Sequence, residues 1–481
     1  MNPENRNMIL AITLSMAVLF GWQMFVVGPE LEKEAAMQQA IAEQEAAAAA
    51  ASGDAPQVDP DAVAGSAGAA ATGQLSASEA APAVEAPRIV IDAPLVSGSI
   101  SLAGLRVDDI MLKAYQETQD PDSENIQFLL KTSTAAPFFA EFGWASADAA
   151  QPMPKSDSVW TASSMVLSPG SPVTLTWENG NGLTFRRQLS INDDYMITVD
   201  DSVESALSAP LTLFPYGLVR RHGTPATTGI YILHEGALGV FDETLREEDY
   251  DDMRDADGGV SEIRPEMPGG WIGFTDKYWL AALLPDQSAN MNFAFKSLAG
   301  PSDRYQVDYI ASEASVLPAG GVVSSQTRLF AGAKKVSLLD GYADELGIAN
   351  FDLAIDFGWF YFLTKPFFYA INWLNSLLGN FGLAVLAFTI VVKLVFFPLA
   401  NKSYRSMGKM RVLSPKIQEI RERHADDRMA MNQAMMALYK EEKVNPAAGC
   451  LPVLLQIPVF FALYKVLFVT IEMRHAPFFG W

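Results

Sequence analysis

Residues 381–399 read FGLAVLAFTIVVKLVFFPL, and residues 450–471 read CLPVLLQIPVFFALYKVLFVTI. A helix rising about 1.5 Å per residue needs about 20 mostly apolar residues to cross a hydrocarbon core of roughly 30 Å. Both runs reach that length, interrupted mainly by Thr389 and Lys393 in the first and by Gln456 and Lys465 in the second. Two such runs flanking a basic stretch predict membrane spans over 381–400 and 449–471 rather than buried core helices. A further run, MILAITLSMAVLFGWQMFVV at 8–27, holds twenty positions without a charge. The GPELEKE that follows lacks a small-x-small cleavage pattern, so residues 1–28 are expected to form an uncleaved transmembrane anchor rather than a signal peptide.

Charge sets the orientation. Residues 401–444 contain ten Lys or Arg against six Asp or Glu, a net of +4, whereas residues 28–380 contain 20 against 48, a net of -28. The positive-inside rule places the basic loop in the cytoplasm and the acidic region on the other side. Over all 481 residues the net charge is -22, which argues against a general nucleic-acid binder, so no DNA partner is expected. One cysteine, Cys450, leaves no intrachain disulfide, and the four histidines lack H-x-x-x-H spacing, so neither a metal site nor another cofactor is expected. There is no G-x-S-x-G, P-loop, G-x-G-x-x-G or H-E-x-x-H, and the protein is expected not to be an enzyme.

Between the anchor and the second span the composition changes twice. Residues 35–87 hold 22 Ala in 53 positions with almost no large apolar side chains, which predicts a flexible linker over 29–87. From residue 88 to 345, short alternating runs separated by turns predict an all-β domain. The clearest is VTLTWENGNGLTFRRQL at 173–189, where Val173, Leu175 and Trp177 share a face that Leu183 and Phe185 rejoin after a Gly/Asn turn. About 250 residues of this pattern suit a two-sheet sandwich better than a small barrel. The acidic run Glu247, Glu248, Asp249, Asp251 and Asp252 lacks calcium-loop spacing and reads as a solvated loop.

The stretch FGWFYFLTKPFFYAINW at 357–373 carries nine aromatics in seventeen positions, which predicts an amphipathic helix within 350–380 lying at the membrane surface. Pro366 and the Gly379-Asn380 pair argue against a continuous span into residue 399. Between the spans, apolar residues at steps of three and four predict an antiparallel helical hairpin over 401–447, with Asp426 and Asp427 starting its second arm and Asn445-Pro446 ending it. Its six methionines, at 407, 410, 429, 431, 435 and 436, either pack the arms together or offer an adaptable surface to apolar clients. Lys409, Met410, Arg411 and Met435 are the candidate contact residues; the basic charge serves topology alone or also touches ribosomal RNA.

Polar groups inside the spans give the strongest functional signal. A lysine near mid-membrane costs roughly 2.5–3.5 kcal/mol on insertion scales, so it is tolerated mainly where it faces protein or water. Lys393 lies about 10 Å from the predicted cytoplasmic end of its span, and Gln456 lies at a similar depth in the next. Together they predict a polar spot open toward the cytoplasm. Lys465, in the other half of its span, is expected to snorkel outward.

The runs KLVFFPLANKSYRSMGKMRVLSPKIQEIRER, MMALYKEEKVNPAAGCLPVLLQIPVFFALY and EMRHAPF, with FGWFYFLTKPFF before them, resemble the YidC membrane protein insertases of Gram-negative bacteria. That resemblance implies a multi-pass inner-membrane protein with an α-helical transmembrane core and a large periplasmic β-supersandwich. It implies a hydrophilic groove open to cytoplasm and lipid, lined here by Lys393, Thr389, Gln456 and Pro458, with Lys393 where the family usually has Arg. Implied partners are membrane lipids, nascent membrane proteins, the Sec translocon and the ribosome. The family also has two further spans after the loop that starts at 472–481, so the chain is expected to be an incomplete insertase. Two other readings remain open: a transporter or channel subunit, and a membrane-anchored periplasmic binding protein.

Overall fold

The computed structural model describes residues 86–481 apart from 121, 147, 149–150, 231, 299, 301, 425–426, 443–450, 477 and 479–481. The expected anchor at 1–28, nearly all of the linker, and Asp426, Asn445, Pro446 and Cys450 lie outside the described residues.

The alternating runs do build a two-sheet sandwich, of eleven and nine strands. In the hairpin at 173–189, strands Val173–Glu178 and Leu183–Ile191 pair with Val173 opposite Leu189 and Trp177 opposite Phe185. Asn179 holds the turn: its side-chain oxygen accepts from the amides of Asn181 and Leu183 at 2.7 and 2.9 Å. Val173, Leu175, Leu183, Phe185 and Leu189 are buried as the period of two requires. The same period turns Arg187 inward, where Asp201 on the next strand and the Phe142 carbonyl on the opposing sheet accept its hydrogen bonds. A buried charge thus ties the two sheets together.

Two expectations change in this domain. The acidic run is not a loop: Thr244–Asp249 is a strand paired with Gly236–Phe241, and helix α1 (Tyr250–Asp255) follows. Tyr250 and Met253 anchor that helix by burial while its acids face solvent, and the Asp249 carboxylate lies 3.1 Å from His234 Nδ1. The domain's core also continues past residue 345. Helix α2 (Val336–Leu346) buries Val336 and Leu339, and Phe351 then stands edge-on to Trp271 at 5.3 Å and to Phe330 at 5.7 Å. Phe357 is buried in the same cluster.

Among the described residues, four α-helices follow. Helix α3 (Tyr361–Leu378) ends at Gly379, whose φ of +67° terminates it in the left-handed region. Asn380 then caps α4 (Phe381–Arg423), its side-chain oxygen accepting from the Leu383 amide at 3.0 Å. The break is where the sequence placed it, although Pro366 itself sits within α3. Helix α4 departs from expectation: the apolar run and the first hairpin arm are one helix of 43 residues with Pro398 and Pro415 inside it, about 65 Å long at 1.5 Å per residue. Asp427 caps α5 (Arg428–Glu441) by accepting from Met429 and Ala430, and α6 (Leu451–Val469) completes the set. Among the described residues, Phe381–Arg423 and Pro452–Val469 are long and apolar enough to cross a membrane.

Candidate functional site

Helix α3 organises the site by packing against both long apolar helices. The Phe367 ring meets Phe388 of α4 edge-on at 4.8 Å, and Phe360, just before α3, stacks on Phe461 of α6 at 6.4 Å. Thr364, Phe368 and Ile371 face inward, while Trp359, Phe362, Trp373 and Leu377 are exposed, so the aromatic excess divides between a packed face and a free one. This is the amphipathic division expected of a helix at an apolar boundary.

Lys393 lies on α4 with its Nζ 5.9 Å from the ring centroid of Phe460 on α6. That contact lies within cation–π range and defines the seam between the two helices. Thr389 stands one turn before Lys393, and Gln456 one turn before Phe460, so each shares a helix face with a member of the contact. Pro458 is two residues from both Gln456 and Phe460, about 200° round the helix from either, and does not share that face. The Thr389 hydroxyl donates to the Val385 carbonyl of its own helix at 2.8 Å. Lys393 is exposed along with Leu394, Val395 and Phe397, whereas Gln456 and Pro458 are half-buried. Phe460 gave no sequence signal, because one aromatic within an apolar run reads like any other.

In the hairpin, buried Leu413 of α4 and buried Leu438 of α5 mark the contact between arms, and Lys416 reaches Glu442 at 2.7 Å. Met410 and Met435 are half-buried, Met407, Met429 and Met436 are exposed, and Lys409 and Arg411 face solvent. The methionines therefore divide between the packed side of the hairpin and its exposed surface.

At the C-terminal end of α6 the Lys465 ammonium does turn out of the apolar run, but onto protein acceptors rather than lipid headgroups. It lies 2.7 Å from Asp356 Oδ2 and donates to the carbonyl oxygens of Asp356 and Ile232. Beyond the helix, the Phe478 ring occupies the space a Cβ on Gly382, at the start of α4, would need. Nearby in the β domain, burial lowers Lys334 to about 8, its Nζ donating to Thr275 at 2.7 Å.

A large β-sandwich joined through an aromatic amphipathic helix to two helices of membrane-spanning length, which meet at Lys393 and Phe460, defines the class: a membrane protein with a large β domain. Residues 88–370 match the family model described as the YidC periplasmic domain, and residues 373–481 match that of the 60Kd inner membrane protein. A membrane protein insertase YidC from Beijerinckia indica subsp. indica is 48% identical over 486 residues, covering 100% of this chain and 79% of the relative. One from Methylobacterium sp. (strain 4-46) is 47% identical over 504 residues, covering 100% and 80%. The chain belongs to the YidC family of membrane protein insertases. A solved structure described as an active YidC insertase with its first transmembrane domain resolved aligns over 83% of this chain and 76% of its own, at 18% identity and a TM-score of 0.27; the family assignment rests on the sequence matches.

Proposed function

We propose that this chain moves transmembrane segments of nascent proteins into the bacterial inner membrane, as a multi-pass protein whose β domain lies in the periplasm. The observation that carries the reading is the Lys393–Phe460 seam: a cation on a membrane-length helix, turned toward a second such helix. A cation in a partly hydrated, low-dielectric crevice attracts a polar or acidic tail more strongly than it would in bulk water. The tail is held there while its apolar neighbour partitions into lipid, a transfer that hydrophobic burial drives without help. No covalent step, nucleotide or metal is required, so the protein acts as an insertase and chaperone rather than as an enzyme of bond chemistry. Thr389 on α4 and Gln456 on α6 supply further polar groups along the seam, while Pro458 lies on another face of α6. The exposed Lys409 and Arg411, with Met410 between them and Met435 on the other arm of the hairpin, face the side from which a ribosome would deliver clients. A Sec-type translocon is the natural lateral partner for clients with several spans.

The test is reconstitution of the chain into lipid vesicles with a single-span client bearing an acidic tail. Protease protection of the client should rise well above that in protein-free vesicles. Equal protection in both would sink the reading.

A further inference from the structure

The β domain grips the C-terminal end of α6. Lys465 stands four residues before the helix end at Val469 and turns its ammonium out of the apolar run to the Asp356 carboxylate and two backbone carbonyls. Those three acceptors match its three donors. Asp356 is itself held by two amides: Oδ2, the oxygen Lys465 approaches, also accepts from the His234 amide at 3.1 Å, and Oδ1 accepts from the Gly358 amide at 3.0 Å. Ile232 and His234 belong to the segment that leads into strand Gly236–Phe241 of the nine-stranded sheet. Further along, Lys277 lies at the tip of the hairpin joining strands Trp271–Thr275 and Trp279–Leu284, with Nζ 3.7 Å from the Phe468 ring centroid. The Arg474 guanidinium covers Tyr278 and Trp279 at 5.9 and 5.6 Å. Gly358 makes the Lys465 approach possible: its φ is +72°, and a Cβ there would stand 2.8 Å from Lys465 Cε.

We propose that Asp356 and Lys465 are positioning residues for insertion, a clasp that fixes the height and rotation of α6 and thereby sets which of its side chains face Lys393. The inference rests on the insertase reading above. Gln456 lies nine residues before Lys465, about 14 Å along a straight helix, and Phe460 lies between them. The Phe360–Phe461 stack holds the helix at that intermediate height, so a rotation released at the clasp is carried down to the seam. An apolar side chain at position 465 would suit lipid better than a lysine, and this lysine is spent on protein acceptors rather than on headgroups. Such an arrangement serves registration of the helix and not its solubility in the bilayer.

The experiment uses the full chain in vesicles with Lys465→Met, Lys465→Arg, Asp356→Asn and Gly358→Ala. Two quantities are read: hydrogen exchange of amides in residues 461–471, and the rate at which a single-span client inserts. Lys465→Met and Asp356→Asn should raise exchange there about tenfold and slow insertion several-fold, while the melting of the β domain stays put. Gly358→Ala keeps both charges but displaces the ammonium, and should fall with them. Lys465→Arg preserves charge and donors and should stay near the parent on both readouts. Unchanged exchange in Lys465→Met would overturn the clasp, and faster exchange with parental insertion would overturn its positioning role. A parent chain that inserts nothing would instead sink the insertase reading and this role with it, and the exchange data would still show whether the clasp exists.

Discussion

Arg187 binds Asp201 through two parallel hydrogen bonds, Nε to Oδ1 at 2.6 Å and Nη2 to Oδ2 at 2.7 Å, inside the sandwich where the guanidinium keeps only 3% of its side-chain exposure. The fork satisfies both carboxylate oxygens, and the second contact of Nη2, to the Phe142 carbonyl, reaches the other sheet. Removing one partner of such a pair leaves a buried charge without compensation, which typically costs about 3–5 kcal/mol. Arg187→Met should therefore destabilise the β domain by that order in a urea titration. Arg187→Met combined with Asp201→Leu should recover much of the loss, since no charge then remains to be solvated. A single variant as stable as the parent would show that water reaches Asp201.

The boundary of the domain can be tested by truncation. Phe351 and Phe357 are buried in the sandwich core, and Trp271 donates its indole N–H to the Ala349 carbonyl at 3.2 Å. A fragment of residues 86–357 should unfold in one cooperative transition. One ending at 345 leaves the Trp271 face open to water and should melt several degrees lower, because losing one buried aromatic is worth about 3–5 kcal/mol. Equal midpoints would place those aromatics outside the folding unit.

Much of this architecture is legible in the chain because it rests on local rules. The period of two around Phe185, the cap at Asp427 and the stop at Gly379 each need only a few neighbouring residues, and each holds. What the sequence conceals depends on contacts across long separations. Lys465 reads as a snorkelling cation because its acceptor Asp356 lies 109 positions away. Phe460 is indistinguishable from its apolar neighbours until α4 places Lys393 over it. Continuity of α4 through Pro398 is equally hidden, since a proline breaks one backbone hydrogen bond but does not by itself decide whether the helix resumes.

The β domain should also carry a specific acid sensitivity at His222. Burial lowers this imidazole to about 4, helped by the nearby positive charges of Arg220, Arg304 and Arg106. The folded state thus binds a proton less readily than the unfolded chain, whose histidine titrates near 6.5. Its contribution to stability is present above that unfolded value and is lost as the pH falls from there through the folded one. Calorimetry of the 86–357 fragment should show the parent losing more stability between neutral pH and the folded pKa than His222→Gln loses. Parallel losses in the two proteins would assign the acid sensitivity elsewhere.

Lys393 is the most exposed claim of the functional reading, because its worth depends on charge and not on shape. The ammonium faces Phe460 across the α4–α6 seam, and neither residue is needed to hold the sandwich together. If the seam receives the polar tail of a client, any cation long enough to reach it will serve. Lys393→Arg should therefore retain most of the insertion rate in reconstituted vesicles, even though the guanidinium differs in hydration and shape. Lys393→Ala should slow clients with acidic tails, and Lys393→Glu should slow them more, by repulsion in a low-dielectric setting. Clients with neutral tails should suffer less from either change, which separates an electrostatic role from general damage to the helix pair. The opposing possibility is that the lysine only reaches for lipid phosphates. Lys393→Ala would then remove an unfavourable charge from a membrane helix and leave insertion at the parental rate or above it. Parental rates for acidic-tailed clients in that variant would remove Lys393 from the mechanism.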